Sequence, residues 1–132
     1  MRGIKAAALI LALAFVAVPV LRAQEARGTL LGRVTDPSNA VVVGAKVDAM
    51  NTQTGVHHAS TTNGSGDYLI PFLIPGPYTI TIESTGFRTY QRTGVVVRVN
   101  DQVAVDVSLE IGQASQTVQV SAETPMLDTS TA

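Results

Sequence analysis

The feature that most constrains this chain is an apolar period of two. In Tyr78-Thr79-Ile80-Thr81-Ile82-Glu83, large apolar side chains alternate strictly with Thr and Glu. Successive side chains of an extended strand point to opposite faces, so this segment has one buried face and one wet face. The same period recurs along the chain. Leu30, Gly32 and Val34 share a face of a first strand over Gly28–Thr35. Ala45, Val47 and Ala49 do so in a second, near Ala45–Asn51, with Lys46 and Asp48 toward water.

Between these runs stand the residues that turns require. In Asp36-Pro37-Ser38-Asn39, Pro37 pre-sets φ for the second turn position and Asn39 tolerates the left-handed region. Thr52-Gln53-Thr54-Gly55 reads as a second turn and Thr62–Asp67 as the richest one. The strand between them, about Val56–Thr61, is polar and carries His57 and His58, which suits an edge or a solvent-facing place. Tyr68–Phe72 follows, with Tyr68, Ile70 and Phe72 expected on one face and Pro71 pointing to an edge or a strand end. After the corner at Ser84–Phe87, Val95, Val97 and Val99 alternate with Val96, Arg98 and Asn100. Val103, Val105, Val107 and Leu109 then alternate with polar or small residues, and the two runs read as a hairpin turning at Asn100-Asp101. Gln116–Ser121 supplies one more strand through Val118 and Val120. No segment after Ala23 keeps a helical period beyond two turns. The chain reads as all-β, with seven or eight short strands in two stacked layers.

The first 23 residues break this pattern. Arg2 and Lys5 precede an uncharged apolar run from Ala6 to Val18, Pro19 ends it, and Leu21-Arg22-Ala23 offers a cleavage site. That three-part order is a secretory leader. The run falls short of the ~20 residues a spanning helix needs. Export to the periplasm or the cell's outer membrane is the expectation, with no membrane span in the mature chain.

Without residues 1–23, six of the nine basic residues remain against all ten acidic ones, a formal charge of −4. A mildly acidic domain with no basic patch is a poor partner for nucleic acid or anionic lipid. The chain has no cysteine, so disulfides, thiolate metal sites and Cys nucleophiles are excluded.

Residues of a type able to carry chemistry are sparse. His57 and His58 are adjacent on a strand and point to opposite faces, so they do not chelate one ion together. Asp36, Asp67, Asp101, Asp106, Glu83 and Glu110 are spread over turns and wet faces, where solvated caps are their expected role. The Asn63–Asp67 run lacks the acidic density of a calcium loop. No Gly-x-Ser-x-Gly elbow is present. An enzyme is not expected, and neither is a metal or a cofactor. Carbohydrate binding needs an aromatic platform. There is no Trp, and Tyr68 and Tyr78 read as core-facing. Tyr90, flanked by Arg88, Gln91 and Arg92, is the remaining platform, and Tyr90, Arg88 and Arg92 are the candidate ligand-binding residues.

Three stretches in order resemble the carboxypeptidase regulatory-like domain family: Gly32-Arg33-Val34-Thr35-Asp36 leading to Gly44-Ala45-Lys46-Val47, then Thr61–Tyr68, then Ile74-Pro75-Gly76-Pro77-Tyr78-Thr79-Ile80 leading to Gly86-Phe87. Asn39 stands where that pattern often has glycine, and Val43 where it often has proline. The resemblance implies a transthyretin-like (prealbumin-like) Greek-key β-sandwich without catalytic residues of its own. Some related adhesin repeats form a Lys–Asn crosslink near an acidic residue, but Lys46 and Glu83 fall on wet faces by parity.

The stretch Gln116–Thr129 resembles the segment that joins this domain to the plug of TonB-dependent outer-membrane receptors. A transmembrane barrel takes at least eight strands of ~9–11 residues, which 132 residues do not supply. The expected division is a leader at 1–23, the sandwich at 24–111, and a strand and linker at 112–132 toward a plug or barrel. The expected role is a non-catalytic exported module serving as the N-terminal structural or interaction domain of such a receptor, its partner being another protein or a fused plug and barrel. The alternative is a carbohydrate-binding module with a glycan partner.

Overall fold

The computed structural model describes residues 26–121. The expected leader at 1–23 and the expected linker from residue 122 on lie outside the described residues. Nine strands and no helix make up the described chain: β1 (Gly28–Thr35), β2 (Lys46–Asn51), β3 (His57–Thr61), β4 (Asp67–Leu73), β5 (Gly76–Glu83), β6 (Thr89–Val97), β7 (Gln102–Ala104), β8 (Val107–Ser108) and β9 (Thr117–Ser121). They form two sheets. One has the order β4-β1-β7, with β8 also on β1; the other has the order β3-β2-β5-β6-β9. The expected all-β sandwich is what the chain forms.

Alternation fills the space between the sheets. Leu30, Val34, Tyr68, Ile70 and Leu73 come from the smaller sheet. Val47, Ala49, Tyr78, Ile80, Ile82, Val95 and Val97 come from the larger. Both core tyrosines keep a partner for the hydroxyl, as buried phenols require: Tyr68 Oη donates to the Val105 carbonyl at 2.7 Å and Tyr78 Oη to the Ile74 carbonyl at 2.7 Å. The turns follow their chemistry. Asn39 takes the left-handed conformation at φ 67°, and Asp36 Oδ1 accepts from the Ser38 and Ala40 N–H groups at 2.9 Å each. Thr62 is buried; its Oγ1 accepts from the Ala45 N–H at 2.8 Å and donates to the Val42 carbonyl at 2.7 Å.

Three expectations need correction. Phe72 does not join Tyr68 and Ile70 inside; it is 67% exposed at φ 62°, and Leu73 takes the buried place. The cause is a β-bulge: Leu30 pairs with Ile70 but Gly28 with Leu73, so the Pro71–Phe72 step carries one extra residue and shifts the parity.

The run from Val95 to Leu109 is not a hairpin. β6 pairs with β5 and β9, whereas β7 and β8 pair in parallel with β1 in the other sheet. After Asn100, at φ 57°, the chain crosses between layers. Val99, expected inward, is 54% exposed at that crossing, while Val105, Val107 and Leu109 are buried. Finally, β6 begins at Thr89, well before Val95. Arg92 pairs with Ile80 and Val95 with Tyr78, so a bulge at Thr93–Gly94, with Gly94 at φ 72°, hides one long strand as two short patterns.

Glycine is obligatory at Gly32. A Cβ there would stand 1.9 Å from the Val105 carbonyl oxygen and 2.9 Å from Tyr68 Cε1. The missing side chain lets the Tyr68 ring lie across β1 and reach the crossing segment from β4.

Candidate functional site

A cleft of about 710 Å³ opens where β1, β4 and the end of β3 meet the crossing segment. Leu31 and Leu69 form its apolar part, and Arg33, Asn63, Asp67 and Asp106 its polar part. Register builds it. Arg33 of β1 and Asp67 of β4 are direct cross-strand partners, so the guanidinium meets the carboxylate in a two-pronged pair, Nε–Oδ1 2.8 Å and Nη2–Oδ2 3.3 Å. The Arg33 N–H donates to Asp106 Oδ1 at 2.9 Å. Asn63 Oδ1 accepts from the Ser65 and Asp67 N–H groups at 2.9 and 3.0 Å, shaping the rim as an Asx turn.

The electrostatics follow. The hydrogen bond from Arg33 holds the Asp67 carboxyl below the usual carboxylate range, and the same bond raises the Arg33 guanidinium. Both side chains stay solvated, at 55% and 42% exposure, so solvent screens the pair and its contribution to stability is small. Burial first, then the Asp106 charge, pushes the nearby Tyr68 phenol far above its ordinary value. The arrangement suits hydrogen bonding to a polar ligand. The Asp67 carboxylate is engaged by Arg33, and the Asp106 carboxylate accepts from the Arg33 backbone N–H.

The candidate ligand residues lie elsewhere. Tyr90 and Arg92 sit on β6 opposite Ile82 and Ile80, so their row belongs to the core-facing side. Tyr90 is half-buried and packs against the core. Arg88, just before β6, pairs with Glu110 at 3.2 Å, and the Nε atoms of Arg88 and Arg92 are buried without a hydrogen-bond partner. Tyr90 and Arg92 lie on β6 and Arg88 just before it; none of the three lines the cleft, although Tyr90 and Arg92 act electrostatically on the cleft residue Tyr68.

His57 and His58 do face opposite ways. His57 Nδ1 meets Asp48 Oδ2 at 2.8 Å, on the wet side of the larger sheet. His58 pairs with Ala49, a core-facing position. Among the described residues, no group of three or more His, Cys, Asp or Glu is placed to hold a metal ion. Lys46 and Glu83 are exposed cross-strand partners, on the wet face that parity assigns them.

The Arg33–Asp67–Asp106 cleft was not legible beforehand. Arg33 and Asp67 are 34 residues apart and Asp106 is 73 from Arg33. Only the strand register brings them together.

Fold and site together define a small two-layer β-sandwich module that presents solvated clefts and free strand edges. Its sequence resolves the class further. The sequence model of the carboxypeptidase regulatory-like domain matches residues 29–110, and the chain belongs to that family. A curated relative, the TonB-dependent transporter Oar of Myxococcus xanthus, is 27% identical over 116 residues, covering 78% of this chain and 11% of that protein. The chain therefore spans about a tenth of that relative.

Solved structures of similar fold include the Bacillus anthracis TIE protein (TM-score 0.54, 16% identity, 65% of this chain and 17% of that one). A second is a candidate carbohydrate-binding protein from Bacteroides uniformis (0.53, 15%, 63% and 41%). A third is catechol 1,2-dioxygenase from Pseudomonas arvilla (0.53, 13%, 69% and 54%). At these identities the likeness is one of fold.

Proposed function

We propose that this chain is an exported, non-catalytic sandwich module, the N-terminal structural or interaction domain of a TonB-dependent receptor-like protein of the outer membrane. The observation that carries the reading is the alignment with a TonB-dependent transporter over 78% of this chain but 11% of the relative. A module that aligns with so small a share of a larger transporter is read as working through its surface and its covalent neighbours. The leader-like start at Arg2, Lys5 and the following apolar run supports export. The engaged carboxylates of the cleft support a role without chemistry of its own.

The test is to fractionate the native cells and identify by mass spectrometry the polypeptide that contains residues 26–121. The reading expects it in the outer-membrane fraction, in a product much larger than 13.8 kDa. A soluble cytoplasmic product overturns it.

The likeness to a candidate carbohydrate-binding protein favours one second reading, a glycan-binding module using Tyr90, Arg88 and Arg92. Titration with oligosaccharides tests it. Affinity lost on Tyr90→Ala supports that reading; affinity that survives Tyr90→Ala removes those residues from it.

A further inference from the structure

The larger sheet ends in β3, which borders β4 of the smaller sheet without pairing to it through the backbone. The Asn51 N–H donates to the Val56 carbonyl at 2.9 Å and the Thr62 N–H to the Ala45 carbonyl at 3.0 Å. The β2–β3 register is unbroken over five pairs. Antiparallel bonding alternates, so Ala49 with His58 and Val47 with Ser60 are the bonded pairs. The N–H and C=O groups of His57, Ala59 and Thr61 therefore point away from β2. Among the described residues, no hydrogen-bond partner takes them up.

Natural sheets protect such an edge with Lys, Pro, a bulge or brevity. β4 carries Pro71 and a bulge, and β7 and β8 are three and two residues long. β3 has no such protection: His57-His58-Ala59-Ser60-Thr61 contains no Lys, Arg, Asp, Glu or Pro.

Two clefts meet at this strand. The 710 Å³ cleft with Arg33, Asp67 and Asp106 lies toward β4, and a groove of about 500 Å³ with Lys46, Asp48, Thr81 and Glu83 lies on the wet face of the larger sheet. Ser60 and Thr61 border both. Each holds two carboxylates against one cation. A strand laid on β3 sends alternate side chains to opposite faces, one set toward each cleft.

We propose that β3 is a strand-addition site for an extended peptide segment bearing basic side chains. The backbone edge supplies main-chain hydrogen bonds and the two clefts supply pockets for alternate side chains, the mode by which exposed sheet edges take up peptides. The acidic excess on both sides selects Lys or Arg in the incoming strand. This goes beyond the envelope-module reading and stands whether or not a barrel follows.

The test uses the full chain purified after export and a fluorescent peptide of about seven residues, enough to span β3, alternating lysine with threonine. Anisotropy should show saturable binding that weakens as salt rises from about 50 to about 500 mM. Ala59→Pro deletes an outward N–H without touching a bond to β2 and should weaken binding about tenfold or more at unchanged melting temperature. If Ala59→Pro does not fold, Ala59→Lys serves instead, placing a like charge on the edge. Any of these results overturns the proposal: no saturable binding up to about 1 mM, equal binding of a peptide with glutamate in place of lysine, or binding unchanged in both variants. A dimer in sedimentation that Ala59→Pro dissolves also overturns it, because the edge then belongs to a second copy of the chain.

Discussion

Replacing Gly32 by alanine tests the packing of the two layers at its tightest point. The added Cβ would lie 1.9 Å from the Val105 oxygen, 2.6 Å from its carbonyl carbon and 2.9 Å from Tyr68 Cε1. Two of these atoms are backbone, so no rotamer change relieves the clash. Restoring ordinary contact moves the crossing segment by roughly 1.5 Å relative to β1. That movement breaks the Val105 N–H bond to the Leu31 carbonyl at 2.8 Å and the Tyr68 Oη bond to the Val105 carbonyl at 2.7 Å. Overpacking costs about 1–3 kcal/mol and two hydrogen bonds about 1 kcal/mol each, so Gly32→Ala should destabilise by about 3–5 kcal/mol. With melting shifts of about 4–8 °C per kcal/mol for a domain of this size, the transition should fall by at least about 12 °C. Urea unfolding followed by far-ultraviolet circular dichroism reads the loss as a lower midpoint. Gly64→Ala is the control: its Cβ meets nothing within 4 Å, and its change should stay within about 0.5 kcal/mol. A Gly32→Ala protein within about 1 kcal/mol of the parent would refute the close approach of β1 to the crossing segment.

Three further outcomes follow from the same contacts. Thr62→Val leaves the Ala45 N–H and the Val42 carbonyl without their buried partner and should cost about 1–3 kcal/mol in urea unfolding. Tyr68, raised by burial and by Asp106, keeps its proton in the folded state beyond the pH at which an unfolded tyrosine ionises, about 10. Its contribution is therefore full below that pH and is lost as pH rises toward the folded value, so stability should fall in alkali and Tyr68→Phe should flatten that limb. Asp36, lowered by Ser38 and by the Ala40 N–H, and Asp67, lowered by Arg33, contribute stability above about pH 4 that is lost as pH falls through their folded values. The Asp36→Asn, Asp67→Asn double variant should show a weaker decline of the urea midpoint on acidification.

The alternation legible in Leu30–Val34 and Ala45–Ala49 corresponds to buried faces of β1 and β2, and Tyr78, Ile80 and Ile82 form the buried row of β5, but Thr79, expected on the wet face, is itself buried at 8% exposure. The polar strand at His57–Thr61 is indeed an edge. The period misled where one residue is inserted: at Pro71–Phe72 and at Thr93–Gly94, parity flips within a strand, and a left-handed residue marks each flip. It was silent on partners. Val103–Leu109 alternates equally well whether it returns beside β6 or crosses to β1, and only the structure reports the crossing. The Arg33–Asp67–Asp106 cleft was invisible for the same reason, since it exists only once β1, β4 and the crossing segment are in register.

Amide hydrogen exchange on purified residues 26–121 tests most directly whether this chain is a free-standing two-layer sandwich. The central strands β1, β2, β5 and β6 should show the slowest exchange, with Val105 and Leu109 protected by their bonds to β1 carbonyls at 2.8 Å each, and all should be lost in one cooperative transition. Rapid exchange at Val105 and Leu109, or uniform exchange with no cooperative melt, would contradict the sandwich and every reading built on it.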